Sequence, residues 1–468
     1  VEAVSGTGTS GGGGERAGLV RHVGLRSATL LVLANIIGAG IFTTTGFQAA
    51  DLGHPGWILA LWVAGGVLAF CGAVCYGELG AAMPRAGAEY VYLRETYGGM
   101  FGFMSGFVSL VAGFSAPIAS ASKGFSRYLT HFFPALAEDP RVVGGLGAND
   151  GIAVGLVWVL IAIQLRGARS GMRFSDVITS FKVVGVVAII LGAAAFGRGD
   201  IGNLVQVSPV YAGLDGAALS EALATSLIFV MFCYSGWNAS AYLAAEFENP
   251  QRDLPRSLLL GTALVVLLYL GINLVYFYGA DVEQLAGVVE VGLVASRNLF
   301  GPGGTSAVTL VLCLSLVASA TAMTIAGPRV YYALGKDYPL FGFLSRTDAS
   351  RGSPVAALLL QGSVTTAIIV SGSIDQIMQY AGFTLTLFAS LAVSCVIVLR
   401  FRRPELPRPF RTWGYPATPI LFLTASAWMM FWSMRARPLE STLAFLTVLA
   451  GGLLFVWTTR RGPASSSG

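Results

Sequence analysis

The chain has 468 residues, of which 54% are hydrophobic and only 11% charged, with 60 glycines and a formal net charge of +5. An ordinary soluble domain carries about 25% charged residues, so no water-soluble core absorbs this much apolar sequence and the surrounding solvent must be lipid. The basic surplus follows the alternation of apolar runs described below and needs no nucleic acid. Cys71, Cys75, Cys233, Cys313 and Cys395 all sit in apolar stretches without a CxxC pair, and His22, His54 and His131 are scattered. That pattern implies free buried thiols and no metal site, and no cofactor motif accompanies it.

Residues 1–16 are rich in Gly, Ser and Thr and are expected to form a disordered tail. They lack the basic start, apolar stretch and cleavage site of a signal peptide. A helix needs about 20 apolar residues to cross the hydrocarbon core. Runs of that kind lie near 27–48, 57–77, 99–128, 152–165, 174–196, 220–246, 256–279, 305–333, 354–371, 377–400, 417–434 and 440–458. The expected fold is therefore an all-α polytopic membrane protein of twelve transmembrane helices.

Charge tests that count. Alternate connections on one side hold Arg127, Arg141, Arg198, Arg297, Arg435 and Arg437; the other side holds every remaining Arg and Lys except Lys123 and Lys182, which lie within helices. A miscounted span would have mixed the two sets. The excess marks the cytoplasmic side, so both termini are expected in the cytoplasm of a cell whose inner membrane the chain spans.

Two runs carry glycine-bearing weak points at mid-membrane: Gly38-Ala39-Gly40 in the first, and Cys233-Tyr234-Ser235-Gly236-Trp237-Asn238 in the sixth. Either alone reads equally well as a close helix crossing. Five helices apart, the pair points to broken helices one and six of an inverted-repeat transporter with its site at the midplane. Unwinding frees backbone N–H and C=O groups that lipid does not satisfy. A zwitterion satisfies both. N–H groups at Ala39 and Gly40 would face a carboxylate, and carbonyls at Ile36, Phe232 and Ser235 an ammonium.

The runs IIGAGIF (36–42), CYGELGAAMPRAGAEYVYL (75–93), FCYSGWNASAYLAAE (232–246) and ENPQRDLP (248–255) resemble the amino acid–polyamine–organocation superfamily, nearest to L-type amino acid transporters and their bacterial relatives. The resemblance covers about residues 26 to 410. It implies a five-plus-five inverted repeat (17–400 with its entry segment) and two further helices (401–460), ending in a short cytoplasmic tail (461–468). It assigns the substrate site to Ile36, Ala39, Gly40, Phe232 and Ser235, with Phe232 where the family often has an aromatic lid and Asn238 where it has a polar residue. Ala39 stands where many relatives carry Ser, which leaves backbone N–H groups alone for the carboxylate.

Lys182 falls about 12 Å into its span, and an ionisable residue at that depth is a functional candidate. In the resembled family a Lys on this helix stands where sodium-coupled relatives bind sodium, so Lys182 is expected to couple transport, with the proton as a possible partner. Lys123 is near a helix end and is expected to snorkel. Glu78, Glu89, Glu95 and Glu246 sit at helix ends or loops on the Arg-rich side, as inner-gate ion pairs or as solvated faces.

No GxxxxGK[ST] loop, soluble catalytic domain or intramembrane acidic pair supports a pump or an enzyme. Channel, sensor and carrier remain; the paired breaks favour a carrier, and Lys182 in sodium's place makes it a sodium-independent one. With Asn238 and no evident acid at mid-depth, neutral amino acids are expected over cationic amino acids or polyamines. Pocket size, exchange against symport, oligomeric state and any partner subunit are not legible.

Overall fold

The structure, a computed structural model, describes residues 23–85, 87–136, 141–143, 146–166, 168–346 and 354–461. The expected tail at 1–16 and nearly all of that at 461–468 lie outside the described residues. Among the described residues the chain is α-helical apart from a small antiparallel ribbon pairing 141–143 with 146–147.

Among the described residues eleven helices are long and apolar enough to cross a membrane: Leu25–Leu52, Pro55–Ala82, Gly99–Leu129, Ala148–Leu165, Val177–Phe196, Gly216–Glu246, Pro250–Gly279, Val291–Asp337, Ile374–Arg402, Ala417–Ala436 and Pro438–Arg460. The shorter apolar helix Val355–Ser371 is the twelfth and is counted below as the ninth span. The chain is an all-α polytopic membrane protein. The fourth span begins at Ala148, earlier than its apolar run suggests, because Asp150 in its first turn still suits a helix N-terminus. The eighth is preceded by an extra helical stretch joined through Gly301, whose φ of 65° breaks the axis before Pro302.

Polar contacts respect the two sides that the charge count separates. On the Arg-poor side Lys123 meets Asp150 and donates to Ile369 O at 3.0 Å, and Arg437 lies 3.9 Å from Asp51 and 3.8 Å from Asp375. Lys123, expected to snorkel, is instead a partnered cation, because Asp150 and the Ile369 carbonyl lie within its hydrogen-bonding reach. On the Arg-rich side Glu78 binds Arg400 at 2.6 Å and Arg408 at 3.3 Å, and Arg94 binds Asp337 at 2.8 Å. All five cysteines are free; Cys71 alone is half-buried and the others are buried.

Candidate functional site

The first span is interrupted. Its first half, Leu25–Ile36, ends with Ile37 at φ −67°, ψ 92°, and its second half, Ala39–Leu52, starts after Gly38 in an extended conformation. No side chain caps that second start. The first amides of any helix lack intrahelical acceptors, so this one presents donors and a positive dipole end in mid-span. The sixth span behaves likewise: Gly216–Tyr234 is α-helical, Ser235 turns out at ψ 145°, and the chain resumes as a 3₁₀ helix over Ala239–Glu246. Gly236 has φ 97°, a conformation open to glycine at little cost.

These interruptions face one another. A Cβ on Gly40 would lie 2.4 Å from Cys233 Sγ, and one on Gly236 would lie 3.1 Å from the carbonyl of Asn35. Thr44 Oγ1 and Cys233 Sγ, 3.1 Å apart, extend the contact. Ile36, Ala39, Gly40 and Phe232 are all buried here, and Ser235 is half-buried at the edge.

The freed carbonyls are largely taken by the protein itself. Lys182 Nζ, fully buried, donates to Ala34 O and Ile37 O at 2.7 Å each, with Ser319 Oγ at 3.4 Å. Ser319 Oγ also lies 2.8 Å from Ile37 O. Tyr269 Oη, on the seventh span, lies 2.6 Å from Ile36 O and 3.1 Å from Cys233 O, so one hydroxyl touches both broken helices. Ser235 folds back, its N–H and hydroxyl both donating to Phe232 O at 3.0 and 2.6 Å. Ile36 O and Phe232 O thus differ from the open acceptors expected of them: a hydroxyl distant in sequence takes Ile36 O, and the neighbouring Ser235 folds back onto Phe232 O. Tyr269 and Ser319 were missed; a lone tyrosine in an otherwise aliphatic run such as Leu267–Leu270 was the available signal.

Tyr234 and Trp237 pack against the second span, the Tyr234 ring also lying 5.2 Å from that of Tyr269. Tyr234 Oη donates to Trp62 O at 3.1 Å, and Trp237 stands edge-on to Tyr76 at 4.5 Å.

Asn238 points toward the Arg-rich side, where its Nδ2 donates to Glu89 Oε1 at 2.7 Å. Tyr76 Oη donates to the same oxygen at 2.6 Å. Glu89 is 7% exposed and belongs to the short helix Glu89–Tyr97 between the second and third spans, so it is neither a solvated face nor an ion-paired gate among the described residues. Burial lifts its carboxyl above the usual range, and the hydrogen bonds from Tyr76, Asn238 and Tyr242 only partly oppose that. Glu89, expected at a helix end as a solvated face or an ion-paired gate, is instead buried against Asn238 at the end of the break. Glu95, by contrast, does form ion pairs, with Arg85 at 3.0 Å and Arg403 at 3.2 Å.

Comparison with known proteins bears on this arrangement. The model of a family described as amino acid permease matches residues 23–454. The chain belongs to that family. The chain is also 27% identical to the mouse b(0,+)-type amino acid transporter 1, over 93% of this chain and 87% of that protein. It is 28% identical to the human cystine/glutamate transporter over 94% of this chain and 85% of that one. With the rat large neutral amino acids transporter small subunit 2 the identity is 26% over 95% and 81%. As an amino acid permease the chain is a membrane transporter and not an enzyme. Both interrupted spans, Lys182 and Glu89 lie within the matched region.

Proposed function

We propose that this permease carries neutral L-amino acids across the inner membrane by alternating access, without sodium, and with both termini in the cytoplasm. Residues 17–400 form a five-plus-five inverted repeat, residues 401–460 add two helices, and the two short tails flank them. The observation that carries this reading is the meeting of two interrupted spans, with Gly40 of one against Cys233 of the other. Backbone N–H groups at Ala39 and Gly40 take the substrate carboxylate, and Phe232 covers it. The ammonium binds the unwound carbonyls, Ser235 O among them, with a second lone pair open on Ile36 O beside the Tyr269 hydroxyl.

Lys182 takes sodium's part. Its ammonium already occupies Ala34 O and Ile37 O, carbonyls that the break removes from the helix ladder. A metal cation there would meet a like charge, which argues against sodium coupling. The printed name of one relative, the large neutral amino acids transporter small subunit 2, supports a neutral substrate. The buried Glu89 favours a second reading, a cationic amino acid, but Tyr76 and Asn238 already fill one of its oxygens.

The test is counterflow of labelled L-alanine, L-leucine, L-phenylalanine and L-arginine in liposomes holding the purified full chain. Saturable exchange of the neutral compounds, unchanged when choline replaces sodium, is the expected result. Exchange of arginine alone would establish the second reading. Folded protein that binds these compounds without moving them would make it a sensor.

A further inference from the structure

Glu89 carries an acid where the surroundings do not suit an anion. One of its oxygens, Oε1, accepts from Tyr76 Oη at 2.6 Å and Asn238 Nδ2 at 2.7 Å. The other, Oε2, has Tyr242 Oη at 3.4 Å, a long contact. The titratable groups that face it are Tyr76 from the second span, Tyr92 from its own helix and Tyr242 from the sixth span. Cys395 of the tenth span lies behind Tyr92, its Sγ 3.7 Å from Tyr92 O. Nearby cations are engaged elsewhere: Arg94 with Asp337, Arg85 and Arg403 with Glu95, Arg400 and Arg408 with Glu78. Among the described residues no Lys, Arg or His makes an ion pair with Glu89.

A buried carboxylate without a cation partner tends to neutralise instead of remaining charged. The asymmetry of the two oxygens shows where a proton fits. Oε1 is filled as an acceptor. Oε2, if protonated, donates to Tyr242 Oη, the reverse of the bond that a charged carboxylate would accept there.

We propose that Glu89 is a proton-binding site that latches the Arg-rich side of the carrier, holding a proton while the unwound stretch of the sixth span is shut against the second span and releasing it to water as that side opens. Asn238 and Tyr242 are the sixth span's half of the latch, and Tyr76 is the second span's half. Opening parts them and hydrates Glu89, which returns to ordinary carboxylic acidity and loses its proton to water on that side. The sign follows from linkage. The closed state binds the proton more tightly, so closure is favoured as pH falls and opening as pH rises. This inference rests on the carrier reading above, but its test needs no substrate.

Amide hydrogen exchange of residues 236–247 is measured in the full chain in lipid nanodiscs between about pH 5 and pH 8, each rate divided by the unstructured rate at that pH. Wild-type protection should rise about tenfold as pH falls, the effect of a single strong hydrogen bond. Glu89→Gln reproduces the protonated pattern, its amide oxygen accepting from Tyr76 and Asn238 and its NH₂ donating to Tyr242. It should be protected at every pH, with no step. Glu89→Ala should be unprotected at every pH, also with no step, while Glu89→Asp should retain one. Asn238→Asp places a second carboxylate beside Glu89 and should move the step to higher pH, a shift that mere packing would not produce. Protection independent of pH in the wild type, or a step that survives in Glu89→Gln, overturns the proposal. Failure of counterflow with an intact pH step would instead count against the carrier reading.

Discussion

Gly40 and Cys233 touch across the two interrupted spans, with room for Sγ only because residue 40 has no Cβ. An added Cβ would lie 2.4 Å from that sulfur and 3.2 Å from the Cα behind it. The sulfur can rotate away at some cost, whereas the Cα can move only with its helix. Overpacking of this kind costs about 1–3 kcal/mol. Gly40→Ala should therefore reduce counterflow at least tenfold while the protein still elutes as a folded species. Cys233→Ala in the same chain removes the closest contact and should recover part of the loss. Equal transport by Gly40→Ala and wild type would show that the two spans part freely at this point.

Tyr269 ties the same two spans through one hydroxyl, to Ile36 O and Cys233 O. Tyr269→Phe keeps the ring and removes the donor, leaving one or both carbonyls short of a partner at about 1–3 kcal/mol each. The expected outcome is a lowered melting temperature in detergent together with slowed counterflow. A melting temperature equal to that of the wild type would mean that water or a neighbouring hydroxyl replaces the lost donor.

How much of this was legible in sequence follows from the range of each interaction. Span number rests on apolar length, which is a local property, and Lys182 stood out because an ammonium about 12 Å into an apolar run snorkels only under strain. The weak points at Gly38 and Gly236 were equally local. The partners were not. Tyr269 and Ser319 reach Ile36 and Ile37 across more than two hundred residues of chain, and nothing in their own neighbourhoods announces the carbonyls that they meet. Glu89 was misread for the same reason. Beside Arg85 and Arg94 in sequence it looks like a solvated helix end, yet those arginines turn to Glu95 and Asp337 and leave Glu89 with two tyrosines and an amide.

Phe232 is 5% exposed, and its Cβ lies 3.2 Å from where a Cβ on Gly382 would be, so the tenth span backs it closely. A phenylalanine that serves packing alone costs about 3–5 kcal/mol when cut to alanine. One that also covers a substrate gives a different pattern. Phe232→Leu should preserve most of the stability yet weaken amino acid binding about tenfold or more, measured as substrate-induced thermal shift across a concentration series. Unchanged affinity in Phe232→Leu would demote the ring to packing.

Lys182 carries the coupling prediction. Its ammonium spans the fifth span, the break in the first, and Ser319 of the eighth. Without it, Ala34 O and Ile37 O lose a charged donor, and Ser319 and Tyr269 remain as hydroxyl donors to the break. The Ala39 and Gly40 amides, proposed to take the substrate, lie beyond that joint, on the second half of the span. Binding therefore depends on Lys182 less than the swing between the two halves does. Lys182→Ala should slow counterflow at least tenfold, with substrate-induced thermal shift reduced by a smaller factor, and Lys182→Met should do the same with less loss of packing. Wild-type uptake should be the same in sodium and in choline, since Lys182 Nζ already occupies the carbonyls that a sodium ion would take. Strong sodium dependence, or full-rate transport by Lys182→Ala, would leave Lys182 as a structural pin between three spans and place the coupling elsewhere.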